Sequence, residues 1–399
     1  LEEYGKHILA CTPEKAWASS IYDGKQYAAM HNLYNLNQWG VVHRKDWLDK
    51  ASLAIPETLD EYRAALKSYT YDDPDGNGKH YSWCHIKYKT IRFDDDFFHA
   101  FGVAVGHHLI GFWRTRDGQI TLDWVQPHMK EALAWMRDAW ADGLFHPDSI
   151  TTALGTRMSQ FQASKVGNAY CGWKNVDNTQ QLLEKIDPKA KVRGGPAPKG
   201  PYGSGTSGEG WPWIYPIKKT CKGPEDCVKI LDYFLQPEVA ATFLCGGANG
   251  VNRKDLNDKG WCEPYYTDDI SAMGDDWTKR SDQARDIGDE GWWVPIGIEP
   301  CIISTFPKEM KEHFENITKK LYSADALEAR KFVEEGTRLT EKTKPVPADK
   351  EYWPGLQTRF GELISQVTAG SLDLDKGWTE WLAFFEKNGG PQITEQVNK

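Results

Sequence analysis

Residues 32–79, NLYNLNQWGVVHRKDWLDKASLAIPETLDEYRAALKSYTYDDPDGNGK, change hydrophobic period over a short distance, and this constrains the fold more than any other part of the chain. The stretch opens with an aromatic, amide-rich run (Tyr34, Asn35, Asn37, Gln38, Trp39) and passes through a short apolar segment, Gly40 to Val42. The period then shifts at Arg44-Lys45-Asp46-Trp47-Leu48. The first part has the pattern of a strand crossing a wet cleft. Pro56 and Glu57 then precede Leu59, Tyr62, Ala65, Leu66 and Tyr69, which share one face at helical spacing, and the helix stops at a turn of Asp, Pro and Gly. Strand, charged turn, helix and acidic loop make one α/β unit.

A chain of 399 residues is too long for one ordinary core, so two α/β domains are expected. The net charge of -9 comes from 57 acidic against 48 basic residues spread along the chain, which excludes a nucleic-acid-binding surface. No apolar run is long enough to cross a membrane, and the opening LEEYGKHIL already has helical character, so neither a membrane span nor a signal peptide is expected in this sequence.

Along the chain, residues 1–20 have a helical pattern, and Asp23-Gly24 between Tyr22 and Lys25 marks a two-residue hairpin turn. Another hairpin is expected over Phe112–Thr121, turning at Asp117-Gly118, and a helix from Pro127 to Gly143 with Met129, Leu133, Trp135, Met136 and Trp140 as its apolar stripe. Trp135 and Trp140 are therefore assigned to the core. QASKVGNAYCGW has the pattern of a strand that delivers Trp173 to the cleft. From Val192 to Gly210 the composition shifts to Gly, Pro and Ser, as in a linker. The stretch leads into a second crossing at Trp211-Pro212-Trp213, beside Glu209. The following helix is expected to bury Val228, Ile230, Leu231, Phe234 and Leu235, and Trp353, Trp378, Trp381, Phe384 and Phe385 to pack a C-terminal helical layer.

Catalytic constellations are missing. There is no G-x-S-x-G, H-E-x-x-H or P-loop. Gly203 to Gly208 spells G-x-G-x-x-G, but it follows Pro-Tyr and opens no helix, so it is assigned to a loop. His43, His107 and His108 have no partners at metal spacing. Among eight cysteines no C-x-x-C occurs; Cys221 with Cys227 and Cys245 with Cys262 bracket loops that a disulfide would close, the alternative being eight plain thiols.

Asp73, Asp75 and Asn77 fall at positions 1, 3 and 5 of an EF-hand-type loop, with Gly78 at position 6 and the Lys79 carbonyl at position 7. Position 9 is Tyr81 and position 12 is Cys84, so the bidentate Glu is absent. The residues leave two readings open: a structural calcium, with Asp94, Asp95 or Asp96 adding charge, or a plain Asx/Gly turn.

The positive signal is aromatic. There are 18 Trp in the chain, and those off the helical stripes gather near Trp39, Trp113, Trp173, Trp211, Trp213, Trp292 and Trp293. A sugar presents a face of C–H bonds ringed by hydroxyls, so a flat apolar ring bordered by amides and carboxylates binds both halves of that surface. The candidate ligand-binding set is Tyr34, Asn37, Gln38, Trp39, Trp113, Trp173, Glu209, Trp211, Trp213, Trp292 and Trp293. Arg44, Arg114 and Lys174 are candidate charge partners for an acidic ligand.

RKDWLDK, the PETLDEY helix start and DPDGNGK, in that order and spacing, resemble the extracellular solute-binding proteins of ABC importers, in the lipoprotein branch that includes the alginate-oligosaccharide binders. YDGKQYAA, DGLFHPDSI, the PAPKGP element and LDYF followed by PEVA extend the resemblance over nearly all of the chain. It implies an α/β, two-lobe periplasmic-binding-protein-like fold of type II with three hinge crossings, near Trp39, Trp213 and Pro300, and a helical C-terminal layer. Residues 1–38 are expected in lobe 1, 39–208 in lobe 2, 214–298 in lobe 1 again and 304–399 as lobe 2 helices. It further implies a monomer that captures a carbohydrate reversibly and delivers it to permease subunits outside the cytoplasm, with no catalytic residue and no required cofactor; relatives carry a structural calcium at the acidic loop. Family members begin with a signal peptide, a lipid-attachment Cys and further lobe 1 strands, so the chain is expected to be truncated at its N-terminus. The competing class is a carbohydrate-active hydrolase or lyase with an aromatic cleft.

Overall fold

The computed structural model describes residues 1–11, 17, 21, 22, 25, 26, 28–33, 39–76, 78, 96–105, 113–150, 156–207, 212–236, 308, 312, 315, 319, 322–338 and 346–399. Of Trp39 and Trp213 it describes the backbone. The strands, in chain order, are β1 (Ile21–Tyr22), β2 (Lys25–Gln26), β3 (Ala28–Leu33), β4 (Trp39–Arg44), β5 (Trp113–Arg116), β6 (Gln119–Leu122), β7 (Asn168–Gly172), β8 (Val192–Gly195), β9 (Thr206–Ser207), β10 (Pro212–Pro216) and β11 (Thr337–Arg338). The chain divides into two compact units: Leu1–Asn35 with Gly210–Ala324, and Leu36–Glu209 with Asp325–Lys399. The sequence reading opens the last lobe 2 segment at 304; by contacts, the first unit runs on to Ala324, where the Ala324–Gly336 helix begins.

In the first unit, β1 and β2 pair antiparallel with Tyr22 opposite Lys25, the pairing expected on either side of Asp23-Gly24. β3 pairs antiparallel with β10, Leu33 opposite Pro212 at one end and Ala28 opposite Pro216 at the other. A helix runs from Lys6 to Cys11, after a turn in which the Gly5 N–H donates to the Leu1 carbonyl; beyond Cys11, only Trp17 of the expected 1–20 helix is described, and it is helical. The Lys6–Cys11 helix has no acidic residue of its own in the first turn. Asp232, on the Pro224–Phe234 helix, supplies one instead: Oδ1 accepts from the His7 and Ile8 backbone N–H at 2.7 and 3.0 Å, and Oδ2 meets His7 Nδ1 at 2.8 Å.

That contact corrects the expected burial of the Pro224–Phe234 helix. Asp232 and Leu235 are buried, whereas Ile230 is 58% exposed. At about 100° per residue, Ile230 lies on the far side of the helix from the stripe that Val228, Leu231 and Leu235 share. Val228, Leu231 and Phe234 are half-buried.

The second unit is built on a three-stranded sheet with β4 central and both β7 and β8 antiparallel to it. After β4 come the short Lys45–Lys50 helix and then the Leu59–Tyr71 helix, capped by Thr58 and Glu61: the Thr58 Oγ1 accepts from Glu61 N–H, and the Glu61 carboxylate accepts from the Thr58 N–H at 2.9 Å. Its five expected face residues, Leu59, Tyr62, Ala65, Leu66 and Tyr69, are all buried. β5 and β6 form the second hairpin, with Asp117 and Gly118 at φ 50 and 78. The Pro127–Ala141 helix buries Met129, Leu133 and Met136, with Trp135 and Trp140 packed at the edge of the same core.

The C-terminal helices, Pro347–Thr368, Leu374–Lys387 and Gly390–Val397, close this core through Trp124. Its ring stacks on Phe360 at 4.4 Å and Trp353 at 5.0 Å, and its carbonyl accepts from Trp381 Nε1 at 2.8 Å. The Gly-, Pro- and Ser-rich stretch from Val192 opens with β8, whose glycines admit the Ala324–Gly336 helix. A Cβ on Gly194 would lie 2.5 Å from the Cβ of Ala329. Among the described residues no helix is long and apolar enough to cross a membrane.

Candidate functional site

The register of the β4 sheet fixes what lies at one of its ends. Trp39 opens β4 opposite Gly172, the last residue of β7, and Val41 sits opposite Gly195, the last residue of β8. Trp173 follows directly and turns the chain into the Val176–Glu184 helix. The Ala324–Gly336 helix covers this end: the guanidinium carbon of Arg330 stands 5.5 Å from the Trp173 ring, and Val333 meets Gly40 so closely that a Cβ there would be 2.7 Å from its Cγ2. Beyond that helix β11 pairs in parallel with β9, Thr337 opposite Thr206. Trp173 is thus 8% exposed, held between the sheet end and an arginine.

Two passages of chain connect the units close to these strands. One leaves β3 at Leu33 and enters β4 at Trp39; the other leaves β9 at Ser207 and enters β10 at Pro212. In the first unit their ends are register partners, Leu33 with Pro212. Tyr34, Asn37, Gln38, Glu209 and Trp211 lie in these passages, outside the described residues, and so do Trp292 and Trp293 further on. The structure therefore brings Trp39 and Trp173 to one sheet end and puts the backbone of Trp213 on β10.

Trp113 is elsewhere. It is 6% exposed in the core of the second unit, with its ring stacked 6.3 Å from that of Trp353. The arginines read as charge partners are also committed inside the protein. Arg44 is fully buried: it donates to both Asp46 oxygens at 2.9 and 2.7 Å, to Asp187 at 3.2 Å and to Ser164 Oγ, and it covers the Trp47 ring at 4.4 Å. Arg114 donates to Asp123 at 2.7 Å, and Arg116 donates to the other oxygen of the same carboxylate. Asp123 itself is fully buried and also accepts from the Ala104 N–H at 2.7 Å. The Arg44 guanidinium has left water for these partners and is not available to a ligand, while Arg114 is engaged by a buried carboxylate. Nothing local in the sequence announces these networks, because Asp187 and Ser164 are distant in the chain.

At the acidic loop Asp73, at φ 45, accepts the Gly78 N–H on Oδ1 at 2.9 Å and the Gly76 N–H on its carbonyl at 3.1 Å. Asn77 and Lys79 lie outside the described residues, as do Asp94 and Asp95, and Asp96 is buried at the start of a short helix. Among the described residues no three His, Cys, Asp or Glu side chains are grouped to hold a metal.

Two α/β units, each assembled from separated stretches of chain, are the build of a periplasmic solute-binding protein, and the comparisons with known proteins agree. No family model matches the sequence. The chain is 24% identical over 395 residues to the polygalacturonan/rhamnogalacturonan-binding protein YtcQ of Bacillus subtilis, covering 94% of this chain and 70% of that protein. It superposes on the alginate-binding protein AlgQ2, solved without calcium ion, with a TM-score of 0.71 at 16% identity, over 100% of this chain and 79% of that one. The ABC-transporter substrate-binding protein FusA of S. pneumoniae in complex with kestose gives 0.58 at 16% identity, over 100% and 80%. YtcQ and AlgQ2 are thus binding proteins for acidic polysaccharides and FusA is a fructooligosaccharide ABC transporter substrate-binding protein, and the fold of this chain is that of its structural neighbours.

Proposed function

We propose that this chain is the substrate-binding component of an ABC importer, working outside the cytoplasm, and that it captures an acidic oligosaccharide and passes it unchanged to membrane permease subunits. The observation that supports this reading is the pairing of β3 with β10, which makes Leu33 and Pro212, the first-unit ends of the two passages, register partners. The two passages, rich in Tyr, Asn, Gln, Glu and Trp, each run between strands that are held in a sheet. The likeness to polygalacturonan- and alginate-binding proteins supports a uronate ligand. Stacking of Trp on sugar C–H faces, with amides at the ring edges, needs no covalent step. A ligand that prefers one arrangement of the chain shifts the population toward it.

Thermal melting against oligogalacturonides, alginate oligosaccharides and neutral fructo-oligosaccharides tests the proposal. Ligand that binds only the folded chain raises the melting point, by about 2.7 kcal/mol of stability at a hundred times its Kd. The acidic sugars are expected to do so and to be recovered intact by mass spectrometry. Cleaved product would instead establish the hydrolase or lyase reading. Trp39→Ala and Trp213→Ala are expected to abolish the shift with little loss of stability; unfolding of both variants would place these rings in the core.

We assign a weak structural calcium to the loop that begins at Asp73. The Gly78 N–H closes the loop onto Asp73 Oδ1, and Asp75 adds a second carboxylate by spacing, but position twelve is Cys84. Water must then complete the six to eight oxygens calcium requires, which puts the Kd in the range of about 10⁻⁴ to 10⁻³ M. Calorimetric titration of calcium into the wild type and Asp75→Ala checks this: heat is expected only from the wild type.

A further inference from the structure

We infer that Cys221 and Cys227 close a disulfide that staples the start of the Pro224–Phe234 helix, an inference that rests on the extracytoplasmic placement proposed above. The two sulfurs lie 3.6 Å apart, in contact across the turn Lys222 to Asp226. Backbone bonds hold both cysteines in place: the Cys221 N–H donates to the Lys218 carbonyl at 2.8 Å, and the Cys227 N–H to the Gly223 carbonyl at 3.3 Å. Both side chains are partly exposed, so they have room to rotate from thiol contact to a bond of about 2.05 Å, and an oxidant can reach them.

The helix start lacks what most helices have there. Its N-cap is Gly223, with no side chain to accept a backbone N–H, and Pro224 follows at the first helical position. Packing adds little, since Ile230 and Tyr233 are 58% and 54% exposed and Asp232 is the buried residue of the helix. Yet this helix carries Asp232, which accepts from the His7 and Ile8 N–H groups and so fixes the Lys6–Cys11 helix. A covalent ring over residues 221–227 restrains the same turn that the missing cap leaves loose.

The pair is unsuited to redox catalysis. Five residues separate the cysteines, and the hydrogen bond shared with Cys221, followed by desolvation and the charges of Cys221 and Asp226, holds the Cys227 thiol above its ordinary range. Catalytic dithiols have the opposite character, with a thiolate favoured at neutral pH. In forming the bridge the two thiols give up two protons and two electrons. The acceptor is a disulfide oxidant, either glutathione disulfide in buffer or an oxidising protein disulfide outside the cytoplasm, and it is reduced to two thiols.

The test equilibrates the full chain in glutathione buffers from reducing to oxidising, then quenches with iodoacetamide and maps the peptides by mass spectrometry. The expected result at the oxidising end is an unalkylated peptide containing 221 and 227 that has lost two hydrogens. The buried Cys171 is expected to remain a thiol throughout. Reduction by a phosphine should lower the melting point of the wild type and leave that of the Cys221→Ser, Cys227→Ser double variant unmoved. Alkylation of both residues at the oxidising end, or pairing of either with another cysteine, overturns the inference whatever the compartment. The same mapping on protein alkylated in intact cells separates the two readings: a pair that bridges in buffer but is reduced in the cell refutes the placement outside the cytoplasm and the bridge as a native feature.

Discussion

Acidification should destabilise the second unit through one histidine. His43 sits in mid-β4, opposite Asn168 and Arg193, and is fully buried. Its Nδ1 meets the Tyr69 hydroxyl at 3.2 Å, its ring lies 5.4 Å from that of Tyr62, and Nε2 has no partner among the described residues. Burial with no carboxylate to balance a charge lowers its pKa from 6.5 to about 3. The unfolded chain therefore takes up a proton below 6.5 that the folded chain refuses until about 3, so stability is full above 6.5 and is lost progressively as the pH falls through that window. Between pH 7 and pH 5 the loss from this group alone is about 2 kcal/mol. Urea unfolding followed by tryptophan fluorescence, at both pH values, measures it. His43→Gln carries no titrating group, and its stability should fall by about 2 kcal/mol less than that of the wild type over the same interval. If the two proteins respond alike to pH, His43 is not held neutral in the folded chain and the burial argument fails.

Three further substitutions probe the same unit by urea denaturation. Asp123→Ala removes the carboxylate shared by Arg114, Arg116 and the Ala104 N–H, and should cost about 3 kcal/mol, the low end for a buried pair, because the two guanidinium side chains are 23% and 27% exposed and can rehydrate. A loss below about 1 kcal/mol would contradict this. Gly194→Val drives a side chain into Ala329, with backbone 2.7 Å from the new Cβ, and should cost about 1–3 kcal/mol or more as the Ala324–Gly336 helix is pushed off β8. Gly355→Ala is the converse: it lies exposed in the Pro347–Thr368 helix with nothing within 4 Å of the new Cβ, and should gain about 0.5–1 kcal/mol.

What was legible in the sequence was local chemistry. The helix face from Leu59 to Tyr69 and the Asp117-Gly118 turn are stated by nearby residues, and the structure has each where its letters stand. β8 was not legible, because Val-Arg-Gly-Gly has weak strand propensity and became a strand through its neighbours. Pairing with β4 satisfies its backbone, and its two glycines are what allow Ala329 and His43 to approach. Ile230 shows the same limit from the other side: an apolar residue was assigned to the core, but the side of the helix that packs was chosen by Asp232 and its bonds to His7 and Ile8.

The tryptophan excess, the feature that pointed to sugar, divides in the same way. Trp47, Trp113, Trp124, Trp378 and Trp381 are buried in the second unit, where stacking and the Trp381 to Trp124 hydrogen bond hold the C-terminal helices against the residues around β5 and β6. Their abundance is then an answer to packing two distant stretches of chain, and it carries no information about a ligand. Arg44 and Arg114 follow suit, since both are spent on buried carboxylates. The functional argument is therefore confined to the aromatic and amide residues of the two passages and to the sheet end where Trp39 and Gly172 are register partners. Substitution there should change ligand capture, whereas substitution at Trp113 or Trp124 should change stability first and capture only through it.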